Sequence, residues 1–262
     1  MEAPRDTLSP RKPLCRIGFA VDRGLCRHPC KARRLRVAAF STGTVGFAVN
    51  VAGAVPFAAP GVDKDPWGYN LIVIVKKESP LQKLIDLNGK KVAHSSPSSN
   101  SGNIAPRALF PALGVKPDEG YKVIFSGKHD TSILGVRSGE YDAAPVASDV
   151  FFRMVNRGQI REEAFRVIWR SQKFPNTAFA HAHDLDPALR DKLTQCFFEY
   201  RFPADMQKAL EGTTQFVPVS YQRDWEVIRK VVQGSGESVD RAGFERLAKR
   251  EQEARAKAAS KK

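Results

Sequence analysis

Ser95-Ser96-Pro97-Ser98-Ser99-Asn100-Ser101-Gly102-Asn103-Ile104-Ala105-Pro106-Arg107-Ala108-Leu109-Phe110 is the stretch on which the reading of this chain turns. The run Gly89 to Ala93 precedes it, and Ile104, Ala108 and Leu109 follow at helical spacing, which predicts strand, loop and helix start. The first turn of a helix carries unpaired N–H groups and the positive end of the dipole, so such a junction attracts an anion. Serines add hydroxyl donors, and Gly102 lets an oxyanion approach the backbone. An ordinary N-cap needs one hydroxyl, whereas five serines and a glycine fall within the eight positions 95–102.

Outward from this stretch, strands and helices alternate. Tyr69 to Val75 reads as the clearest strand, and Leu81, Leu84 and Leu87 fit a short helix ending at Asn88-Gly89. Pro106 falls in the first helical turn, where a missing N–H costs little. Tyr121 to Phe125 is a strand, Ser126 to Ser132 a polar loop, Ile133 to Arg137 a helix, and Ala143 to Ala147 a strand capped by Ser148-Asp149. A helix at Phe151 to Val155 and a strand at Phe165 to Trp169 complete an α/β layered pattern. Ligands of such sheets gather at the carboxyl ends of strands, so Ser99–Gly102, Lys128–Ser132 and Ser148–Asp149 are expected to face one crevice.

The flanks are read the same way. Val37 to Phe40 is a short strand candidate, and Ser41-Thr42-Gly43-Thr44 is a second hydroxyl-rich turn before an apolar run from Val45 to Val55. Ala178 to His183 is strand-like, and Asp186-Pro187 opens a helix in which Cys196 is expected as a small packed residue. His181 and His183 alternate without a thiol or carboxylate partner at metal spacing, so structural roles are expected and no metal. The segment from Asp240 is expected as a solvated helix or tail.

The 262 residues, 42% hydrophobic, suffice for one large or two small domains. No apolar run approaches the roughly 20 residues that span a bilayer. The net charge of +14 lies at the ends, with +7 in residues 1–36 and +5 in residues 241–262, leaving +2 between them. That distribution argues against a basic stripe on the folded body and against nucleic acid as the partner. Residues 1–34 hold Cys15, Cys26 and Cys30, expected as unpaired thiols in an unstructured basic segment, and show no signal-peptide layout.

Ser99-Asn100-Ser101-Gly102 followed by Pro106 resembles the Ser-Thr-Ser-Gly motif and its trailing Pro in solute-binding proteins of phosphate, phosphite and phosphonate ABC transporters. Asp86-Leu87-Asn88-Gly89-Lys90-Lys91-Val92-Ala93 is similar to that family's lead-in strand. Ser126-Gly127-Lys128-His129-Asp130 resembles its Gly-x-His-Asp/Glu loop, and Ser138-Gly139-Glu140-Tyr141-Asp142-Ala143-Ala144 its following turn and strand. Tyr69 to Val75, and Phe165 to Ser171 with Pro175, extend the likeness over about residues 36–230.

The resemblance implies an α/β type II periplasmic binding protein, two lobes joined by crossing strands around a cleft. The lobes are expected at residues 35–75 with 178–240, and at 76–177, with 241–262 as a basic C-terminal helix or tail. Ser99, Asn100 and Ser101 would hold phosphoryl oxygens beside Gly102, and His129 would donate to the same group. Asn100 stands where the family commonly has Thr. Tyr69 and Phe40 fall at aromatic positions of the site, with Ser41 and Thr42 as the opposing half of the clamp. Asp149 matches a carboxylate of aminophosphonate binders, able to face an ammonium or accept a P–OH proton, and Thr177 stands where such binders have a second acid.

The resemblance also implies a monomeric periplasmic receptor, with a small phosphorus anion and a transporter permease as partners and no cofactor. The alternatives are a ligand-sensing domain with basic nucleic-acid tails, or a phosphoester enzyme using His129 with Asp130, or Ser101. The front departs from the family. Its Arg-, Pro- and Cys-rich opening resembles translation from a misplaced start, so the first lobe is expected to be incomplete, with an unpaired sheet edge.

Overall fold

The computed structural model describes residues 36–259, with side chains through residue 256, so Cys15, Cys26 and Cys30 lie outside the described residues. Ten strands form two five-stranded sheets. The first holds β1 (Val37–Ser41), β9 (Thr177–Ala182), β2 (Ala54–Val62) and β10 (Gln215–Pro218) in that order, with β3 (Asp65–Pro66) beside β2. Every pair in it is antiparallel. The second runs β6 (Lys122–Phe125), β5 (Lys91–His94), β7 (Ala143–Ala147), β4 (Gly68–Lys76) and β8 (Phe165–Pro175). There β5 is parallel to β6 and β7, while β4 opposes both β7 and β8.

The strand β4 shows why the unbroken run Leu71-Ile72-Val73-Ile74-Val75 is not a helix. Leu71, Val73 and Val75 enter one core cluster and Ile72 and Ile74 another, and all five are fully buried. A strand covered on both faces needs apolar residues at every position, because side chains alternate between the faces. Its place in the second sheet corrects the expected lobe boundary after residue 75. The chain crosses instead at Trp67, between β3 and β4, and returns at Asn176, between β8 and β9. The two crossings lie side by side, with the Asn176 N–H donating to the Trp67 carbonyl at 3.1 Å.

The apolar run from Val45 to Val55 divides between a helix and a strand. The helix α1 (Val45–Ala52) ends at Gly53, whose φ of 65° is the left-handed cap that glycine tolerates, and the chain turns at once into β2. Two prolines in β2 hid it as a strand. Pro56 sits at a register shift, the kind of position where a strand accommodates a residue without an N–H. Phe57, Phe179, Phe197, Phe202 and Phe216 then form an aromatic cluster against α5 (Pro187–Glu199), with the Phe197 and Phe216 centroids 4.7 Å apart. Cys196 of α5, expected as a packed thiol, is half-buried and disulfide-bonded.

Behind the strands, α2 (Ala105–Leu109), α3 (His129–Ser138) and α4 (Ser148–Asn156) follow β5, β6 and β7. After α6 (Ala204–Ala209) and β10, the chain forms α7 (Tyr221–Asp224), α8 (Glu226–Gly234) and α9 (Arg241–Ala259). The last is the helix of the expected helix or tail, but it is not wholly solvated, because Leu247 is buried and the Phe244 ring meets Phe47 of α1 edge-on at 6.0 Å. Among the described residues no helix is long and apolar enough to cross a membrane.

Candidate functional site

The carboxyl ends of β5, β6 and β7 deliver three segments to one place. The first is a π-helical turn over Asn100–Ile104, all five residues buried. The Ile104 N–H reaches the Ser99 carbonyl at 3.0 Å, the i to i−5 bond that marks such turns. Pro106 lies in the first turn of the next helix and Pro111 opens a separate 3-10 turn just after it, so α2 has only five residues, shorter than the stretch from Ile104 predicts. A helix that short has little macrodipole, and the donors here are side chains and turn amides instead.

Tyr69 is the centre of the arrangement. It is 6% exposed, and its hydroxyl is met by the side chains of Thr42, Asn100 and Ser101, with Asn100 Nδ2 donating at 3.1 Å. Burial raises its pKa above the ordinary 10.0, so it stays a neutral donor. Thr42 arrives from the turn after β1. Its hydroxyl lies 2.8 Å from the Pro175 carbonyl and 2.5 Å from that of Asn176, which anchors the turn to the return crossing.

Asp149 closes the ring at the start of α4. One carboxylate oxygen accepts from Asn176 Nδ2 at 3.2 Å and lies 3.7 Å from Arg153. The other, Oδ1, is buried without a hydrogen-bond partner, as is Asn100 Oδ1. Burial pushes the Asp149 carboxyl above its usual 3.8, outweighing the Asn176 contact and Arg153. Buried polar atoms normally find partners, so two orphans in one cluster mark a place where a ligand or water donates.

His129 stands one layer out. The Ala147 N–H donates to Nδ1 at 3.4 Å, so the neutral ring carries its proton on Nε2, 3.2 Å from Ser99 Oγ. Burial holds its pKa down to about 4, with Asp130 opposing and Arg153 assisting, so it is a neutral donor near pH 7. Ser99 Oγ also accepts from the Gly102 N–H at 3.1 Å.

Of the residues singled out in the sequence, Tyr69, Thr42, Asn100, Ser101 and Asp149 come together, with Ser99, Gly102 and His129 beside them. The others stand apart from that ring. Ser41 is exposed and bonds Thr44 at 3.1 Å, Phe40 packs against the large core cluster, and Thr177 bonds the Asn176 side chain at 3.1 Å. Asn176 was missed by sequence reasoning, although its position between Pro175 and Thr177 at a lobe crossing marked it.

A buried support lies beneath. His94 at the end of β5 is fully buried, with Nδ1 3.0 Å from Asn103 Oδ1 and Nε2 2.9 Å from the Tyr121 hydroxyl. Asn103 also donates to the Pro97 carbonyl at 2.8 Å and accepts from Arg107 at 2.9 Å. Burial drops the His94 pKa from 6.5 to about 4. A folded pKa below the unfolded value means that the unfolded chain binds the proton more tightly. Stability is therefore expected to fall as pH drops from about 6.5 to about 4, with His129 acting in the same sense. Asp149, raised, acts oppositely, costing stability as pH climbs through its folded value. Urea midpoints from pH 4 to 7 check this, and His94→Gln should flatten the acid slope while costing about 1–3 kcal/mol at pH 7 through unpaired network groups.

Two sheets joined by paired crossings, with opposing polar loops between them, define a two-lobed α/β protein of the type II periplasmic binding class. Residues 29–225 match the family model described as ABC transporter, phosphonate, periplasmic substrate-binding protein, and the chain belongs to that family. The phosphate-import protein PhnD of Mycolicibacterium smegmatis is 29% identical over 128 residues, 46% of this chain and 40% of that protein. The phosphonates-binding periplasmic protein of Escherichia coli is 24% identical over 148 residues, 55% and 44% of the two chains. This chain thus spans less than half the length of these two curated relatives.

Among solved structures, a binding protein component of an ABC phosphonate transporter from Pseudomonas aeruginosa shares the fold with a TM-score of 0.67. It is 20% identical, over 88% of this chain and 81% of that one. PhnD1 of Prochlorococcus marinus, solved with methylphosphonate, has a TM-score of 0.65 at 18% identity, over 78% and 79% of the chains.

Proposed function

We propose that this protein captures a phosphorus oxyanion, of the phosphonate, phosphite or phosphate class, outside the cytoplasm and presents it to an ABC importer. On this reading the two sheets are the halves of a clamp and the receptor works as a monomer without turnover. The observation that carries it is the Tyr69-centred ring, in which the Thr42 hydroxyl of one half meets Tyr69 of the other beside the Asn100–Ser101 turn, with two unpartnered acceptors in the cluster. Neutral donors hold an oxyanion without a countercharge when they are numerous and fixed in place.

Asp149 supplies the selectivity. A carboxylate oxygen without a donor accepts a proton from P–OH, or an ammonium of an aminophosphonate, whereas sulfate brings no proton and meets repulsion. Binding rather than catalysis fits His129, whose two nitrogens already engage Ala147 and Ser99.

Titration calorimetry with methylphosphonate, phosphite, phosphate and sulfate tests the reading. Heat is expected from at least one phosphorus anion and none from sulfate. Asp149→Asn should narrow the preference over sulfate by about tenfold, the weight of one hydrogen bond to a charged group. Absence of heat and of any thermal shift with all four anions sinks the proposal.

A further inference from the structure

We propose that Glu251 is a positioning residue for the anion-binding turn, gripping Ser98 of one lobe from a helix seated on the other. The proposal rests in part on the reading of Ser99–Ser101 as an oxyanion site. The family match ends at residue 225, so α9 lies beyond the segment this chain shares with that model.

The seat of α9 is well made. Asp240 caps it by accepting from the Gly243 N–H at 2.7 Å, and Arg250 pairs with Glu237 through two bonds of 2.6 and 2.7 Å. Phe244, Leu247 and Glu251 fall at i, i+3 and i+7, so they share one face of the helix. The first meets Phe47 and the second is buried, which points the third toward the opposite lobe. Gly43 and Phe47 of the first lobe, Pro97 and Ile104 of the second, and Leu247 of α9 line one small crevice at this three-way junction.

At its far side one Glu251 oxygen accepts both the Ser98 N–H, at 2.9 Å, and the Ser98 hydroxyl, at 2.5 Å. Charge-assisted bonds of this length are the strong class. The Ser98 carbonyl is confined as well, since a methyl placed on Gly43 would lie 2.6 Å from it. Ser98 is therefore held on both sides, one residue before the hydroxyl that faces His129. Its donors are spent on Glu251, so it anchors the turn and leaves ligand contact to Ser99, Asn100 and Ser101.

Hydrogen exchange on the full chain without ligand, for the parent, Glu251→Ala and Glu251→Gln, reads the grip directly. Amides of residues 98–101 should exchange about tenfold faster in the Ala variant, while those of β4 and β7 stay as in the parent. Gln keeps an acceptor for both Ser98 groups and should restore most of the protection. Equal exchange in all three proteins, or acceleration spread over β4 and β7, overturns the proposal.

Calorimetry with methylphosphonate and inorganic phosphate supplies the second arm. A roughly tenfold weaker Kd in the Ala variant, largely recovered in Gln, supports the role. Unchanged affinity in Glu251→Ala overturns it. If the parent binds neither anion, the oxyanion reading fails, and the exchange result alone then decides whether Glu251 positions the turn.

Discussion

Gly102→Ala is expected, on the proposed oxyanion reading, to remove anion binding almost completely while leaving the fold recognisable. A Cβ at this position would lie 1.8 Å from Ser95 Oγ and 2.8 Å from both Ser95 Cβ and Ser99 Oγ. Neither serine can yield cheaply. Ser95 is 2% exposed, its N–H donates to the Gly102 carbonyl at 3.2 Å, and its carbonyl accepts from Gly127 at 2.6 Å, so the turn itself must move. Overpacking of a tight site costs about 1–3 kcal/mol. A displacement of about 1 Å in a positioning loop is worth about a hundredfold in function. A denaturant midpoint shift of that size with at least a hundredfold weaker binding of the preferred anion is the expected result. Ser95→Gly added to Gly102→Ala should recover part of the stability, because it removes two of the three close contacts. Parent-like affinity in Gly102→Ala would show that the turn is not the binding element.

Trp225→Ala is expected to have the largest effect on stability, about 3–5 kcal/mol, as for other large aromatic residues truncated in a core. Trp225 is fully buried at the junction of α7 and α8, within the cluster that gathers Val45 and Ala59 of the first lobe with Ile104 and Phe110 of the second. Its indole N–H also donates to the Thr42 carbonyl at 3.3 Å, so the same truncation frees the first-lobe turn. Trp225→Phe keeps most of the apolar volume and should cost less, with about 1 kcal/mol from the Thr42 carbonyl left short of a donor. Urea unfolding of the three proteins separates these contributions. A loss below about 1 kcal/mol in the Ala variant would mean that the junction repacks.

The parts of the molecule legible in the sequence are those governed by local periodicity and by a motif. Tyr69 to Val75, Ala143 to Ala147 and Ala178 to His183 announce themselves as strands because burial on both faces demands mostly apolar runs. Asn100, Ser101 and Asp149 were visible as polar residues at the carboxyl ends of strands. Three things were hidden. Pro56 and Pro60 disguised β2, whose irregular pairing tolerates them only in three dimensions. The place of β4 in the second sheet depends on partners some 70 to 100 residues away, which no window on Tyr69–Val75 contains. Glu251 meets Ser98 across 153 positions, and in a charge-rich helix nothing distinguishes that carboxylate from its neighbours except that Phe244 and Leu247 share its face.

The paired crossings at Trp67 and Asn176 fix how such a molecule can open. Two crossings set next to each other favour rotation about the line that passes through both, and the packing of α8 on α2 and the Glu251 bonds to Ser98 are the contacts such a rotation has to part. Twisting would shear the bond between the Asn176 amide and the Trp67 carbonyl, and sliding would tear the Thr42 hydroxyl from Pro175 and Asn176. On the proposed clamp reading, opening along that angle would part Thr42 from Tyr69. The mouth of such a clamp would open as a book does, widest at the edge far from the spine.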